Sequence, residues 1–417
     1  MEIEKLFYQL LQVAIGNRES LTVMPTSKEW ALLFDMAKKQ ALTAIAFTGV
    51  SKLNPASDFG TLIGMDEMTY LKWLGLTAKV AQRNKVLNEA CSSLCKDLAH
   101  DGLYACILKG QSNLVNYPEE LQKCRTAGDI DVWCGLMDPE GIDIAVGDVD
   151  GRRAHYEKYI GERGVIEWVL EDYRIKDKMM PEVNYHHIDW EYKGIACEVH
   201  FRPSWMNCPW HNARLQKWCK ENEQWNTCEY NAFSIPSTSF NAVYQLVHIY
   251  RHLFNEGIGL RQLLDYYFVL QELHYQRVRP LYDSSSKQSM GMWDKNLGIS
   301  KVSKEEILHT ISSLGMKPFA SAVMYVLQKV FAMPSEYLIC QPDAKQGEFL
   351  LNEIMLAGNF GKYDSRNVIS TNEGYIKRFI RRQKRFMRFL TQYPSEVIWG
   401  PYFSVKQRMW RVLHGWR

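Results

Sequence analysis

Along the first hundred residues apolar side chains recur at three- and four-residue intervals, the period of helices that each bury one stripe. In SKEWALLFDMAKKQALTAIAFTGV, residues 27–50, Trp30, Leu33, Met36, Ala37 and Ala41 share such a stripe behind a Thr26 or Ser27 cap. A longer helical pattern runs from Glu67 to His100 and stops at Asp101-Gly102, a turn signal. The period then changes. YACILKG, residues 104–110, is a short apolar run ending on glycine, which predicts a buried strand entering a turn; QSNLVNY follows as a short helix that Pro118 closes. DIDVWC predicts a second strand, residues 152–163 a helix, and NYHHIDWEY, Lys193-Gly194 and IACEVHF a hairpin. From Ser237 the helical period returns, with Tyr244, Val247, His248, Arg251 and His252 on one helix and Leu260–Leu273 on another after Gly257-Ile258-Gly259. Residues 280–302 read as a loop, and helices resume at about 303–332 and 345–356.

Two strands carry charge where a strand gains nothing from it. Residues two apart share a strand face, so Asp129 and Asp131 project side by side while Ile130 and Val132 pack behind them. Such a pair repels, and a divalent cation relieves the repulsion; hard oxygen ligands suit magnesium. The plain alternative is a solvent-exposed edge with two aspartates at its start. In IACEVHF, Ile195, Cys197 and Val199 form one face and Ala196, Glu198 and His200 the other, which adds a third carboxylate. If the strands are neighbours, Asp129, Asp131 and Glu198 face one cleft, an arrangement suited to phosphoryl transfer. The turn at Gly110-Gln111-Ser112 lets backbone approach phosphate oxygens closely.

Composition narrows the field. The 417 residues are 46% hydrophobic and 23% charged, enough for two or three domains and no sign of disorder. The start, MEIEKLFYQLLQVAIG, lacks a basic segment, and Gln9 and Gln12 interrupt it, so a secretory signal is not expected; nor is any run long enough to span a bilayer. The 10 cysteines form no CxxC pair, which points to reduced, buried thiols and a cytoplasmic chain rather than zinc. His248 and His252 have i, i+4 spacing but no Glu follows His248, so they are expected to turn a polar helix face toward the site rather than bind zinc. Arg251 on that helix can reach nucleotide or acceptor. Arg261 and Asp265 are spaced for a helix salt bridge, while His186 and His187 are assigned to the hairpin without a chemical role. Trp205, Trp210, Trp218 and Trp225 are read as packing residues.

Charge is unevenly spread. From Tyr375 to Arg417 there are eleven Lys or Arg against one acidic residue, Glu396, so this tail carries +10 and the rest −7 of a total of +3. In YIKRFIRRQKRFMRFL, Ile376, Phe379, Ile380, Met387 and Leu390 fall near one helical face and the cations occupy the rest. The pattern predicts a helix docked through its apolar stripe, or one whose basic face meets an anionic surface or acceptor; specific RNA recognition is disfavoured.

The order ILKGQSNLVNY, GDIDVW, CEVHF resembles the DNA polymerase beta-like nucleotidyltransferase superfamily. More narrowly, LKG, YP, R-x-x-GDID and E-x-H, with the later HIYRH and GLRQLLD helices, resemble a bacterial group described only as an uncharacterised nucleotidyltransferase family. Common superfamily members carry Gly-Ser at the turn, where this chain has Lys109-Gly110-Gln111-Ser112, and the gap from Gly110 to Asp129 is long. The resemblance implies an α+β fold: a small mixed-sheet catalytic core at 101–235, flanked by helical regions at 1–100 and 236–374, with the basic tail at 375–417. It implies a nucleotidyltransferase that uses magnesium, with manganese as substitute, to move a nucleoside monophosphate from an NTP such as ATP to an unidentified hydroxyl or phosphate acceptor. Asp129, Asp131 and Glu198 are the implied catalytic and metal-binding residues. Lys109, Gly110, Gln111, Ser112, Arg125 and Gly128 are the implied nucleotide site, and His200, His248, Arg251 and His252 line the acceptor or back the carboxylates. The rival expectation is a non-catalytic nucleotide-binding or interaction protein that keeps the fold.

Overall fold

The two faces of one small sheet separate two hydrophobic cores. This computed structural model describes residues 2–54, 64–136, 162–176, 178–223, 225–228, 232–278, 302–367 and 374–416. In chain order the helices are α1 (Glu2–Ile15), α2 (Ser27–Lys39), α3 (Thr43–Leu53), α4 (Glu67–His100), α5 (Glu119–Gln122), α6 (Glu162–Ile175), α7 (Pro209–Glu221), α8 (Thr238–Asn255), α9 (Leu260–Val278), α10 (Lys304–Ser313), α11 (Lys317–Phe331), α12 (Ala344–Ala357), α13 (Tyr375–Met387) and α14 (Pro394–Leu413). The strands are β1 (Leu103–Ile107), β2 (Ile130–Leu136), β3 (His187–Tyr192), β4 (Ile195–His200), β5 (Trp225–Cys228) and β6 (Phe233–Pro236). The helix expected at 152–163 and the loop at 280–302 fall almost wholly outside the described residues, as does the side chain of Trp225.

The fold is α+β, with a four-stranded mixed sheet between helical flanks. Its order is β1-β2-β4-β3, with β2 and β4 parallel and both outer pairs antiparallel. One face carries Ile130, Val132, Ile188, Cys197 and Val199, which pack with Leu87, Cys91, Leu94 and Leu98 of α4 and with Val165 and Val169 of α6. The other face turns toward α8, where Trp133 stacks on Phe240 at 5.7 Å between ring centroids. Beyond α8, the second core joins helices from both ends of the chain: α1 lies against α3 and α11, and Gln12 Nε2 donates to Val330 O at 3.0 Å. Among the described residues no helix is long and apolar enough to cross a membrane.

The stripe over 27–50 becomes two helices, because the chain breaks at Gln40–Leu42 with Ala41 at φ +54°. No glycine or proline marks that break. Its cause is distant: Gln40 Nε2 donates to Ile354 O at 3.1 Å and Gln40 Oε1 accepts from Leu260 N at 2.9 Å, so one amide ties two other helices. The 303–332 stripe is likewise α10 and α11. Gly315 between them has φ +71°, and a Cβ there would lie 2.3 Å from the His211 ring.

The tail helix docks the opposite way from its apolar pattern. Ile376, Ile380 and Met387 face solvent, whereas Arg385, Phe386 and Phe389 are buried. Arg385 donates to Leu253 O (2.8 Å) and Phe254 O (3.0 Å) at the end of α8, and to Asp364 Oδ2 at 3.3 Å. Helix-end carbonyls and a buried carboxylate need donors, and an arginine supplies them while its methylene stem packs.

Candidate active site

Strand β1 leads into the site. Leu108 N donates to Asp131 O at 2.9 Å, and the chain then turns at Gly110, whose φ of +67° suits glycine. That turn aims Lys109 inward, with Nζ 2.8 Å from Asp131 Oδ1 and 3.9 Å from Glu198 Oε2. The parallel pairing of β2 with β4 sets Asp131 opposite Glu198 and Trp133 opposite His200. Asp131 and Glu198 therefore share a face, and His200 Nε2 sits 3.2 Å from a carboxylate oxygen of each.

The electrostatics follow from that packing. Burial alone pushes the His200 imidazole down, but its hydrogen bonds to Asp131 and Glu198 outweigh this and raise it. Burial likewise pushes Glu198 up, yet Lys109 and His200 hold its carboxyl well below the usual range. Asp129 precedes β2 at the exposed rim, where the Asp131 charge and desolvation push its carboxyl up to about 6. Asp131, Glu198 and His200 offer ligand atoms within 4.8 Å of one another, and buried His200 Nδ1 has no hydrogen-bond partner. The two hard carboxylates fit a magnesium-sized cation and the imidazole extends the set to manganese; Asp129 is not part of this ligand group.

Strand β3 adds residues that sequence reasoning had left without a role. Lys193 (φ +49°) and Gly194 (φ +78°) make a two-residue hairpin turn. From Tyr192 opposite Ile195, the register brings Asp189 opposite Glu198 and His187 opposite His200. His187 Nδ1 lies 3.8 Å from Glu198 Oε2 and 3.0 Å from His186 Nε2, which also accepts from Arg251 Nη1 at 3.1 Å. Arg251, His186 and His187 thus cluster beside Glu198, with the guanidinium 4.4 Å from the Trp205 ring centroid. The signal was available, since a two-residue Lys-Gly turn fixes the register of both strands.

The other expected residues take several positions. His248 and His252 lie on α8 with ring centroids 4.3 Å apart; burial lowers both, and His252 Nδ1 bonds Glu256 Oε2 at 3.1 Å. Neither belongs to a group of potential metal ligands among the described residues. Gln111 Nε2 donates to Asn88 Oδ1 (2.6 Å) and Ser112 Oγ to Leu108 O (2.7 Å), so both side chains brace the turn from inside. Arg125 is buried, with Nε and Nη2 on the two oxygens of Asp265 at 2.7 and 2.8 Å. The partner of Asp265 is thus Arg125 rather than Arg261, whose Nη1 donates to Thr126 O at 2.8 Å. Asn84 Nδ2 adds a bond to Arg125 O at 2.7 Å, and the anchored loop presents Gly128 and Asp129 at the surface.

A family model described as "Uncharacterised nucleotidyltransferase" matches residues 26–286, more than half of the chain. The chain belongs to that family. In this nucleotidyltransferase-family member the matched range holds Lys109, Asp129, Asp131, the three clustered histidines, Glu198 and α8, while α13 and α14 lie beyond it. No curated protein and no solved structure matches the chain.

Proposed function

We propose that the chain is a magnesium-dependent nucleotidyltransferase of the DNA polymerase beta-like superfamily. It moves a nucleoside monophosphate from an NTP, ATP being the first to test, to a hydroxyl or phosphate acceptor. The observation that carries this reading is the in-register placement of Asp131 and Glu198 on adjacent parallel strands, bridged by His200 and faced by Lys109. Asp129 and Asp131 would hold the metal, with Glu198 as a further ligand or as the base. A bound magnesium supplies charge neutralisation and orientation of the triphosphate.

The chain's own residues do the rest. Lys109 and the Gly110 turn face the triphosphate, Gln111 and Ser112 hold that turn, and Arg125 and Gly128 set the loop that presents Asp129. The acceptor oxygen bonds to the α-phosphorus, the bond to the bridging oxygen breaks, pyrophosphate leaves, and the acceptor proton passes to Glu198. His200 keeps both carboxylates in place, and Arg251, His248 and His252 border the acceptor side. The reading places the chain in the cytoplasm, where thiols such as its nine described free cysteines stay reduced.

One observation favours a second reading. The Lys109 ammonium already neutralises Asp131 at 2.8 Å, as it would in a nucleotide-binding protein without catalysis. Incubation with each α-labelled NTP, magnesium or manganese, and a cell extract decides between them. Transfer of label with pyrophosphate release, reduced on the order of 100-fold or more in Asp131→Asn and Glu198→Gln, is the expected result. Metal-independent NTP binding without transfer, unchanged in both variants, would overturn it.

A further inference from the structure

The inverted docking of α13 builds a second site. Between this helix and the segment before it lies a pocket of about 370 Å³ lined by Arg366, Lys377, Arg381, Lys384, Arg385 and Arg388, with Asn367 and Ile380. Asp364, whose side chain is fully buried, gathers three of these cations: Arg366 Nε at 2.8 Å, Arg388 Nη1 at 3.2 Å and Arg385 Nη1 at 3.3 Å. Glu353 makes a two-pronged pair with Arg366, both bonds at 2.8 Å. Two carboxylates thus compensate Arg366, Arg385 and Arg388 in part, while the ammonium groups of Lys377 and Lys384 add positive charge to the cavity wall. Among the described residues no acidic side chain lines it, and neither Lys377 nor Lys384 has an ion pair.

We propose that this pocket binds a small anion carrying two or more phosphoryl groups. Cationic donors suit phosphate oxygens, and here Asp364 and the α8 carbonyls fix Arg366, Arg385 and Arg388 in the wall while the exposed ammonium groups of Lys377 and Lys384 are left to meet the ligand. The volume is that of a small-ligand site, and a wall of several cations calls for a multiply charged partner. Among the described residues no aromatic ring lines the pocket, which sets it apart from the stacking platforms of single-stranded nucleic acid sites. The pocket lies outside the family-matched range and does not rest on the nucleotide-transfer reading.

Free polyphosphorylated molecules and anionic lipid headgroups share this chemistry, and the test separates them. The full chain is titrated calorimetrically with sodium tripolyphosphate in EDTA across a salt series, and sedimented with vesicles containing cardiolipin, whose headgroup carries two phosphates, or of phosphatidylcholine alone. Tripolyphosphate is expected to bind, with affinity falling as salt rises. Lys377→Gln with Lys384→Gln, two exposed positions, weakens it by roughly tenfold or more, and Asp131→Asn leaves it unchanged, which separates this pocket from the carboxylate site. Vesicle binding that the same lysine variant removes assigns the phosphate to lipid. Equal affinity in wild type and the lysine variant, no binding of either probe, or binding of single-stranded RNA alone would overturn the proposal.

Discussion

Asp265→Asn is a change of one atom that should cost this chain a large part of its stability. Asp265 Oδ1 accepts from Arg125 Nε at 2.7 Å and Tyr117 Oη at 2.6 Å, and Oδ2 accepts from Arg125 Nη2 at 2.8 Å. Asparagine keeps the first oxygen but turns an NH2 group toward Nη2, so one bond is replaced by donor facing donor. The larger loss is charge. Arg125 is 4% exposed, and burial together with Arg125 already pushes the neighbouring Arg261 down to about 10; without the carboxylate two buried guanidinium groups face each other uncompensated. Breaking such a pair costs about 3–5 kcal/mol, a sizeable share of the roughly 5–15 kcal/mol that a folded domain holds. Urea unfolding measures the loss. Metal-dependent NTP binding should weaken as well, because the Arg125 loop presents Asp129. Arg125→Met with Asp265→Leu should regain most of the stability, since it removes both charges at similar volume. A loss below about 1 kcal/mol in Asp265→Asn, or strictly additive effects of the two positions in a double-mutant cycle, would refute the reasoning.

Two further predictions concern stability. Glu396 is buried and accepts from Asn207 N at 2.7 Å, and burial raises its carboxyl to about 7 from the usual 4.5. With the folded value above the unfolded one, its contribution is present below pH 4.5 and is lost as pH climbs through 7, by about 3 kcal/mol in all. Urea midpoints should therefore fall between pH 5 and pH 8, and Glu396→Gln should flatten the profile; parallel profiles would count against it. At Gly49 a Cβ would lie 2.5 Å from Leu10 O, so Gly49→Ala forces α3 off α1 and should lower stability by about 1–3 kcal/mol. A raised melting temperature, as alanine brings to an unobstructed helix, would contradict that.

Much of the architecture was legible because it is local. A period of two in IACEVHF separates Val199 from Glu198, and a period near 3.6 places His248, Arg251 and His252 on α8. The Lys193-Gly194 turn even carries the register that brings His187 opposite His200. Other features depended on partners far away in the chain. The parallel pairing of β2 with β4, which brings Asp131 to Glu198, joins strands about seventy residues apart, and no pattern within either strand names its neighbour. Arg125 pairs with Asp265, a partner 140 residues away in the chain that no local pattern names. Gln40 ended a helix that its own neighbours would continue, since its amide is claimed by Ile354 and Leu260. The tail shows the division most sharply. Its sequence determined an amphipathic helix of high positive charge, but the carbonyls of Leu253 and Phe254 and the carboxylate of Asp364 decided that Arg385 would face inward and Ile376, Ile380 and Met387 outward. Periodicity reports the faces a segment has; which face is buried follows from the unsatisfied donors, acceptors and charges that the rest of the fold sets against it.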